Sequence, residues 1–487
     1  MKRFLAAILL GLVALSALLV FRTLSVRPFA PLPPAPPEAG LSAETAAVHL
    51  AAALRFQTVS HQDPAQDDAG QRAGLHALLA ETYPRLHAAL RREVIGDGAL
   101  LFTWAGRDPA LRPLLLLAHQ DVVPVEAGSE GKWTHPPFAG VIDGGLVWGR
   151  GALDDKGCLI GVLEAVELLL AQGFSPQRTV LLAFGHDEEV SGVRGATSLA
   201  AVLVSRGVKP ELILDEGLSV TEGIVPGADR PVALIGVAEK GYLTLELIAS
   251  GAGGHSSMPP PQTAAGVIAA AVARLEAHPF PTRLTGPARA LAEGLAPLLP
   301  FGKRLALANL WLLGPVLERV YASAPTTAAL VRTTLAATML EAGTKENVLP
   351  QSARAVVNLR LLPGDTRASV TARALQVIDD PRVQVRQLGG FSSEPSAESS
   401  TTSPAFRLLE KSVRESFPDA AVVPSLVLGA TDSRLYAALG ADTYRFAPLR
   451  LGPQDLVRVH GTDERVAVSG MGEAVRFYAR LIRNAQP

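Results

Sequence analysis

Two textures of hydrophobic patterning divide the chain. From about Glu44 to Leu214, short unbroken apolar runs, residues 114–118 and 180–184 among them, alternate with stretches of helical spacing. Runs of that length without a polar interruption predict strands buried on both faces. Between them, residues 159–170 are apolar at helical spacing and stop near Gly173, which predicts a helix. Strands and helices in alternation imply βαβ units around a largely parallel sheet, an α/β fold. From Tyr242 the texture changes. Residues 243–248 alternate, 251–261 are rich in Gly, Ser and Pro, and 262–276 predict an Ala-rich helix. Residues 353–361 alternate again, followed by Pro363-Gly364 and a further helix. This second set predicts a smaller α+β domain inserted in the first, the chain returning near Gln387. Within it, residues 279–324, with Leu305, Leu310, Trp311, Leu312 and Leu313, predict a helical insert apolar enough to pack on another surface or to face lipid.

The N-terminus has a third pattern. Lys2 and Arg3 precede an uncharged apolar stretch from Phe4 to Phe21, closed by Arg22. It is longer than the usual core of a signal peptide and close to the minimum for a spanning helix. An uncleaved single-pass anchor is the expectation, with cleavage at the small-x-small pattern Ala14-Leu15-Ser16 as the alternative and a secreted enzyme as its result. Basic residues before the helix place the following domains outside the cytoplasm, periplasmic in a bacterium, although Arg22 and Arg27 lie on the other flank. Residues 28–37 are Pro-rich and predict an extended spacer that lifts the rest off the bilayer.

Composition narrows the function class. Hydrophobic residues make up 48% of the 487 and charged ones 19%, a globular balance rather than a disordered one. With 45 basic against 46 acidic side chains and no basic patch, nucleic acid is not an expected partner. The single cysteine, Cys158, excludes an intrachain disulfide and a Cys-rich zinc knuckle. It opens an apolar run and reads as a core helix residue.

Chemistry-bearing residues gather after the apolar runs, where an α/β sheet collects its ligands. His119-Gln120-Asp121 follows Leu115-Leu116-Leu117-Ala118, and period-two alternation puts residues 119 and 121 on one side. That spacing suits an imidazole ligand and a carboxylate that orients it. Asp154-Asp155 stands between Gly151 and Gly157, as a helix cap or as a carboxylate bridging two cations. His186-Asp187-Glu188-Glu189 puts three acids at the end of a buried strand, where they repel unless cations or protons compensate. One of them can bind metal while its neighbour acts as a general base. Asp215-Glu216-Gly217 follows another apolar run, and His460 lies in Val459-His460-Gly461-Thr462-Asp463-Glu464-Arg465. Two histidines with carboxylates suit zinc, cobalt or manganese better than calcium or magnesium.

Seven motifs in order resemble the aminoacylase/carboxypeptidase S family of co-catalytic zinc metallopeptidases, and most of all its carboxypeptidase S and N-fatty-acyl-amino-acid synthase/hydrolase branch. They are AHQDVVPV from Ala118, GRGALDDKG from Gly149, HDEEVSG from His186, LDEG from Leu214, GHSSMP from Gly254, NVLPQSARAVVNLRLLPGDT from Asn347 and VHGTDER from Val459. The resemblance implies a zinc-peptidase-type α/β/α catalytic domain over 44–241 and 389–487. It also implies an inserted lid or dimerisation domain over 242–388, after an anchor or signal at 1–27 and a linker at 28–43.

The same resemblance implies two Zn2+ per subunit, or Co2+ or Mn2+ in their place. His119 and Asp215 hold one cation, Glu189 and His460 the other, and Asp154 bridges them, with a cis peptide expected after it. Glu216 is the alternative to Asp215. Asp121 orients His119, Glu188 is the general base and then acid, and His255 stabilises the oxyanion, in family members often across a homodimer. Arg360 and Asn347 resemble a clamp for the substrate carboxylate, and Gly429-Ala430-Thr431-Asp432-Ser433 a loop of the substrate pocket. The activity implied is hydrolysis of an amide next to a free carboxylate, in N-acyl (including fatty-acyl) amino acids or short peptides. A carboxypeptidase or dipeptidase is the alternative. A membrane-tethered binding protein without catalysis is a remote one, opposed by the intact Glu188-Glu189 pair.

Overall fold

The computed structural model describes residues 1–33 and 35–487. Its centre is an eight-stranded sheet in the order Arg91–Ile95, Ala99–Trp104, Val180–Gly185, Leu114–His119, Leu212–Thr221, Thr443–Leu451, Val232–Glu239, Ala421–Val427. The strands around Leu114–His119 run parallel to one another, whereas Arg91–Ile95 and Ala99–Trp104 pair antiparallel at one edge. Every residue of Leu114–His119 and Val180–Gly185 is buried, as their uninterrupted apolar composition requires. Helices Ala43–Leu54, Lys156–Ala171 and Val468–Asn484 cover one face, with Leu50, Leu163 and Phe477 in one core. Helix Ala196–Ser205 covers the other through Leu199 and Leu203. Cys158 is a free, buried residue of Lys156–Ala171, in the core role its context predicted.

The smaller sheet has four antiparallel strands in the order Thr334–Ala342, Ser352–Leu361, Gly241–Ser250, Val383–Gln387. Its Leu243, Leu245, Leu247, Val357 and Leu359 pack under helices Ala264–Ala277 and Arg367–Ile378. The period-two alternation of both central strands is thus the one-sided burial of an antiparallel sheet. Strand Val232–Glu239 runs almost directly into Gly241–Ser250, so the two sheets are joined at Lys240.

Two parts of the chain differ from the sequence expectation. Residues 279–324 interrupt the small domain in sequence, yet their helices Gly286–Leu295, Phe301–Ala308 and Leu310–Ala322 attach to the outer edge of the large sheet. Leu291, Leu295, Leu307 and Leu310 share a core with Val232, Ala421 and Val423. A side chain at Gly294 would begin 2.7 Å from Val423 Cγ1, so glycine lets that helix lie close on the edge strand. Covering the edge also removes an unpaired apolar border.

The Pro-rich segment is laid along the protein rather than held away from it. Phe29 lies 4.8 Å beneath the Arg230 guanidinium, Arg414 donates to Ala30 O at 3.1 Å, and Arg480 donates to Pro36 O at 2.8 Å. Arginine donors take up carbonyls that a chain without amide hydrogens cannot pair in a ladder. The helix before it, Lys2–Leu24, is the one described helix long and apolar enough to cross a membrane.

Candidate metal and substrate site

The polar groups converge where strands of the large sheet end. His119 is the last residue of Leu114–His119, and its Nε2 lies 2.8 Å from Asp154 Oδ1 and 3.5 Å from Glu216 Oε1. On the other side, His460 Nε2 lies 3.0 Å from Asp154 Oδ2 and 3.1 Å from Glu189 Oε2. Two groups of ligand atoms therefore share Asp154: His119, Asp154 and Glu216, and Asp154, Glu189 and His460. Glu189 Oε1 is buried with no hydrogen-bond partner, an orphan atom of the sort a cation satisfies.

Asp215, expected with His119, is turned elsewhere. Its Oδ2 accepts the Ser433 amide at 2.7 Å and its Oδ1 the Glu216 amide at 3.0 Å. Consecutive strand residues point to opposite faces, so of 215 and 216 only one can meet His119. Glu216 does, and Asp215 fastens the Thr431–Ser433 loop instead.

The supporting contacts are dense. His119 Nδ1 is 2.9 Å from Asp121 O and 3.4 Å from Asp121 Oδ1, so residue 121 orients the ring, mainly through its carbonyl. The Asp121 carboxylate accepts Ser60 Oγ at 2.7 Å and the amides of Glu188 and Glu189 at 3.1 Å each. Residue 121 thus fixes the imidazole mainly through its carbonyl and the Glu188–Glu189 turn through its carboxylate. Asp154–Asp155 is a cis peptide, as the resemblance implied. Asp155 occupies the cap position of Lys156–Ala171, but its side chain makes no cap bond and accepts the His119 amide at 3.3 Å. A Cβ at Gly157 would sit 2.4 Å from Ala152 O, which is why this loop can fold so closely on the helix start.

Electrostatics follow from this crowding. Burial first, and then the charges of Asp432, Glu189 and Asp154, push Glu188 well above the usual carboxylate range. Burial and Asp154 do the same to Glu216, and burial and Asp154 raise Glu189. His460 is raised to about 10 by Asp154 and Glu189. His119 is raised against the effect of burial by Asp121, Asp154 and Glu216. Carboxylates that resist ionisation and imidazoles that attract protons lack positive charge between them. Two divalent cations would supply it, and the imidazole–carboxylate donor set suits zinc-like metals.

A cavity of about 460 Å³ opens beside this cluster, lined by Glu188, Glu189 and His460 of the large domain and by Tyr242, Thr244 and Arg360 of the small sheet. Phe391, Arg434 and Ala430 of the expected pocket loop also line it. Arg360 lies over the Tyr242 ring at 4.6 Å and Arg434 over the Phe391 ring at 4.5 Å. Arg434 Nη1 is 4.0 Å from Glu188 Oε1. Two stacked guanidiniums therefore face one cavity whose other wall carries the ligand cluster. Sequence reasoning stopped at Ser433 and so missed Arg434; its place directly after Asp432-Ser433 was the available signal. His255 and Asn347 are brought together elsewhere. Gly254–His255 pairs with Val348–Leu349 in an exposed two-stranded arm, His255 Nδ1 is 2.8 Å from Ser257 Oγ, and neither residue lines the cavity.

Glu464 is a second residue that sequence reasoning left without a role. Its buried carboxylate accepts Arg150 Nη1 at 2.6 Å and the amides of Gly151 at 3.0 Å, Leu153 at 2.8 Å and Asp154 at 3.1 Å. Arg150 Nη2 also donates to His460 O at 3.0 Å.

Residues 115–484 match the model of peptidase family M20/M25/M40. The chain belongs to that family. Within the family, it is 40% identical over 444 residues to a probable carboxypeptidase S-like 2 of Dictyostelium discoideum, covering 90% of this chain and 85% of the relative. It is also 40% identical over 436 residues to the N-fatty-acyl-amino acid synthase/hydrolase PM20D1.1 of Danio rerio, covering 89% and 84%. Among solved structures, the M20 family metallo-carboxypeptidase Sso-CP2 of Sulfolobus solfataricus superposes with a TM-score of 0.66 at 18% identity, over 90% of this chain and 99% of that one. This M20 chain is therefore a hydrolase of the metallopeptidase class with an α/β fold.

Proposed function

We propose that the chain is a two-metal amidohydrolase cleaving an amide bond next to a free carboxylate, in N-acyl amino acids or short peptides. The observation that carries this reading is the cavity joining Glu188, Glu189 and His460 to Arg360 across the two domains. His119, Asp154 and Glu216 would hold one divalent cation, and Asp154, Glu189 and His460 the other. Bound there, zinc or a similar metal supplies Lewis acidity and makes water nucleophilic near neutral pH.

The protein's own groups account for the remaining steps. Arg360, held against Tyr242, offers a planar pair of donors that fits both oxygens of a carboxylate. With the carboxylate there, the neighbouring amide lies toward Glu188. Glu188 takes a proton from the attacking water and delivers it to the nitrogen of the departing amine. Arg434, 4.0 Å from Glu188, limits the charge that builds near it. His255 and Asn347 stand exposed on their arm, which suits groups presented to the cavity of a second subunit in a homodimer. There His255 would stabilise the oxyanion and Asn347 would assist the carboxylate clamp.

Relatives named for both fatty-acyl amino acids and carboxypeptidase activity favour two substrate classes, and the apolar helix Lys2–Leu24 adds weight to the lipidated one. The reading includes a single-pass anchor with the catalytic domain outside the cytoplasm. The deciding assay gives the full chain in mild detergent an N-acetyl amino acid, an N-palmitoyl amino acid and a dipeptide, with and without chelator, beside Glu188→Ala. Chelator-sensitive hydrolysis that zinc restores and Glu188→Ala abolishes is the expected result. Preference for palmitoyl substrates assigns the lipid class. Full activity in chelator, or in Glu188→Ala, refutes the mechanism.

A further inference from the structure

The N-terminal helix does not hang from a loose tether. Its residues Leu15, Leu19 and Thr23, with Val26 just beyond it, form one partly covered stripe, and Thr23 is fully buried. The C-terminal part of that stripe is held by helix Phe301–Ala308 and by Asn309, which follows it. Asn309, itself fully buried at the junction of those two helices, donates to Leu19 O at 3.2 Å and Thr23 Oγ1 at 3.3 Å. Arg22 donates to Ala308 O at 3.4 Å.

Length then fixes the level of this contact. The uncharged stretch from Phe4 to Phe21 spans about 27 Å as a helix, just short of a hydrocarbon core of about 30 Å. A bilayer crossed by this helix must therefore have its hydrocarbon boundary close to Phe21. Leu19, where Asn309 docks, lies about 3 Å inside that level. The residues touching Leu19 and Thr23 are consequently at the membrane surface themselves.

The surface they continue into is apolar and uncovered. On Leu310–Ala322, Leu312, Val316 and Val320 are exposed at intervals of one helical turn, with Trp311 and Phe301 beside them. Such a stripe is costly in water and well suited to a lipid interface. Around it, the helices carry Arg289, Lys303, Arg304 and Arg319 against Glu293 and Glu318, and Arg22 and Arg27 follow the spanning stretch. That surplus of cations complements anionic headgroups.

We propose that this face is a second membrane contact: Phe301, Trp311, Leu312, Val316 and Val320 lie in the outer interfacial layer of the bilayer that Lys2–Leu24 crosses. The proposal rests on the reading of Lys2–Leu24 as an uncleaved anchor. Its consequence is a fixed orientation. The helical insert packs on strand Ala421–Val427, whose end leads into the loop bearing Thr431, Ser433 and Arg434, so the catalytic domain is seated on the membrane through two contacts.

The chain has a built-in reporter. Trp104, Trp133 and Trp148 are each 9% exposed or less, whereas Trp311 is 52% exposed. The full chain, its intact N-terminus verified by mass, is reconstituted into vesicles of zwitterionic and anionic phospholipid, with and without brominated acyl chains. The emission of Trp311 is taken as the difference between wild type and Trp311→Phe. Bromines near the headgroup should quench most of that emission, bromines near the chain end much less. Val316→Asp should weaken the quenching while leaving hydrolysis of a soluble substrate unchanged. Failure to cosediment with vesicles would refute the anchor reading and the second contact with it. Cosedimentation with Trp311 emission indifferent to bromine would overturn the second contact alone, as would emission shielded by a second copy of the chain.

Discussion

Glu464 gives the sharpest test of how the site is held. It neither touches the cavity nor belongs to either ligand group, yet it accepts four hydrogen bonds from Arg150, Gly151, Leu153 and Asp154. Glu464→Ala leaves a buried guanidinium and three buried amides without their acceptor. Removing one partner of a buried ion pair costs about 3–5 kcal/mol, and each unmet amide adds to that unless water enters. We expect a loss of about 4 kcal/mol in urea unfolding at neutral pH. Arg150→Met with Glu464→Met should recover part of it, because the uncompensated charge goes too, so the two changes should fall well short of additive. Since Asp154 N and His460 O are both tied to this pair, Glu464→Gln should lower metal stoichiometry and kcat together, with KM little changed. A Glu464→Ala enzyme within about 1 kcal/mol of wild type and with full metal content would refute the argument.

Three further outcomes follow from the geometry. Glu216→Gln should lose about one bound metal per subunit by elemental analysis, whereas Asp215→Asn should keep its metal and lower stability through the Thr431–Ser433 loop; the reverse pattern would restore the original assignment. Arg360→Met should raise KM for a carboxylate-bearing substrate by about 10–100-fold, the range of one charged hydrogen-bonded contact, and leave an amide of the same substrate unaffected. Lys240 is held down to about 7, by burial and by Arg360, against 10.5 when free, so between those values the unfolded chain binds the extra proton and stability rises with pH. Lys240→Met should flatten that rise in urea midpoints measured from pH 7 to 10, and an unchanged slope would contradict it.

The large domain was legible because buried parallel strands leave an unmistakable mark. Residues 114–118 and 180–184 have no polar interruption, and the strands found there are buried throughout. Their ends had to be where His119 and Glu188-Glu189 emerge. The small sheet was legible for the opposite reason: one-sided burial makes Gly241–Ser250 and Ser352–Leu361 alternate. The helices after Pro279 were visible as helices but not as neighbours. An amphipathic pattern says that a face is covered, and nothing local says whether the small sheet or the edge strand Ala421–Val427 covers it.

The same limit explains the two residues that sequence left unresolved at the site. Asp215 and Glu216 are adjacent acids after one apolar run, and a motif cannot say which side of the pleat faces His119. What decides it is the Ser433 amide, which comes from a loop more than two hundred residues away and claims Asp215. Glu464 is hidden similarly, since its partners at 150–154 are distant in sequence. The spacer expectation failed by another route. Proline content does prescribe extended backbone, but extension along a surface and extension away from one have the same composition. Arg230, Arg414 and Arg480 choose between them, and with Asn309 bonded to Leu19 and Thr23 they tie the helix Lys2–Leu24 and the segment after it to the enzyme's body. On the proposed reading of Lys2–Leu24 as an uncleaved anchor, an enzyme so attached meets its substrates at one fixed height above the lipid, and the anchor's geometry then bears on substrate choice as directly as the lining of the cavity.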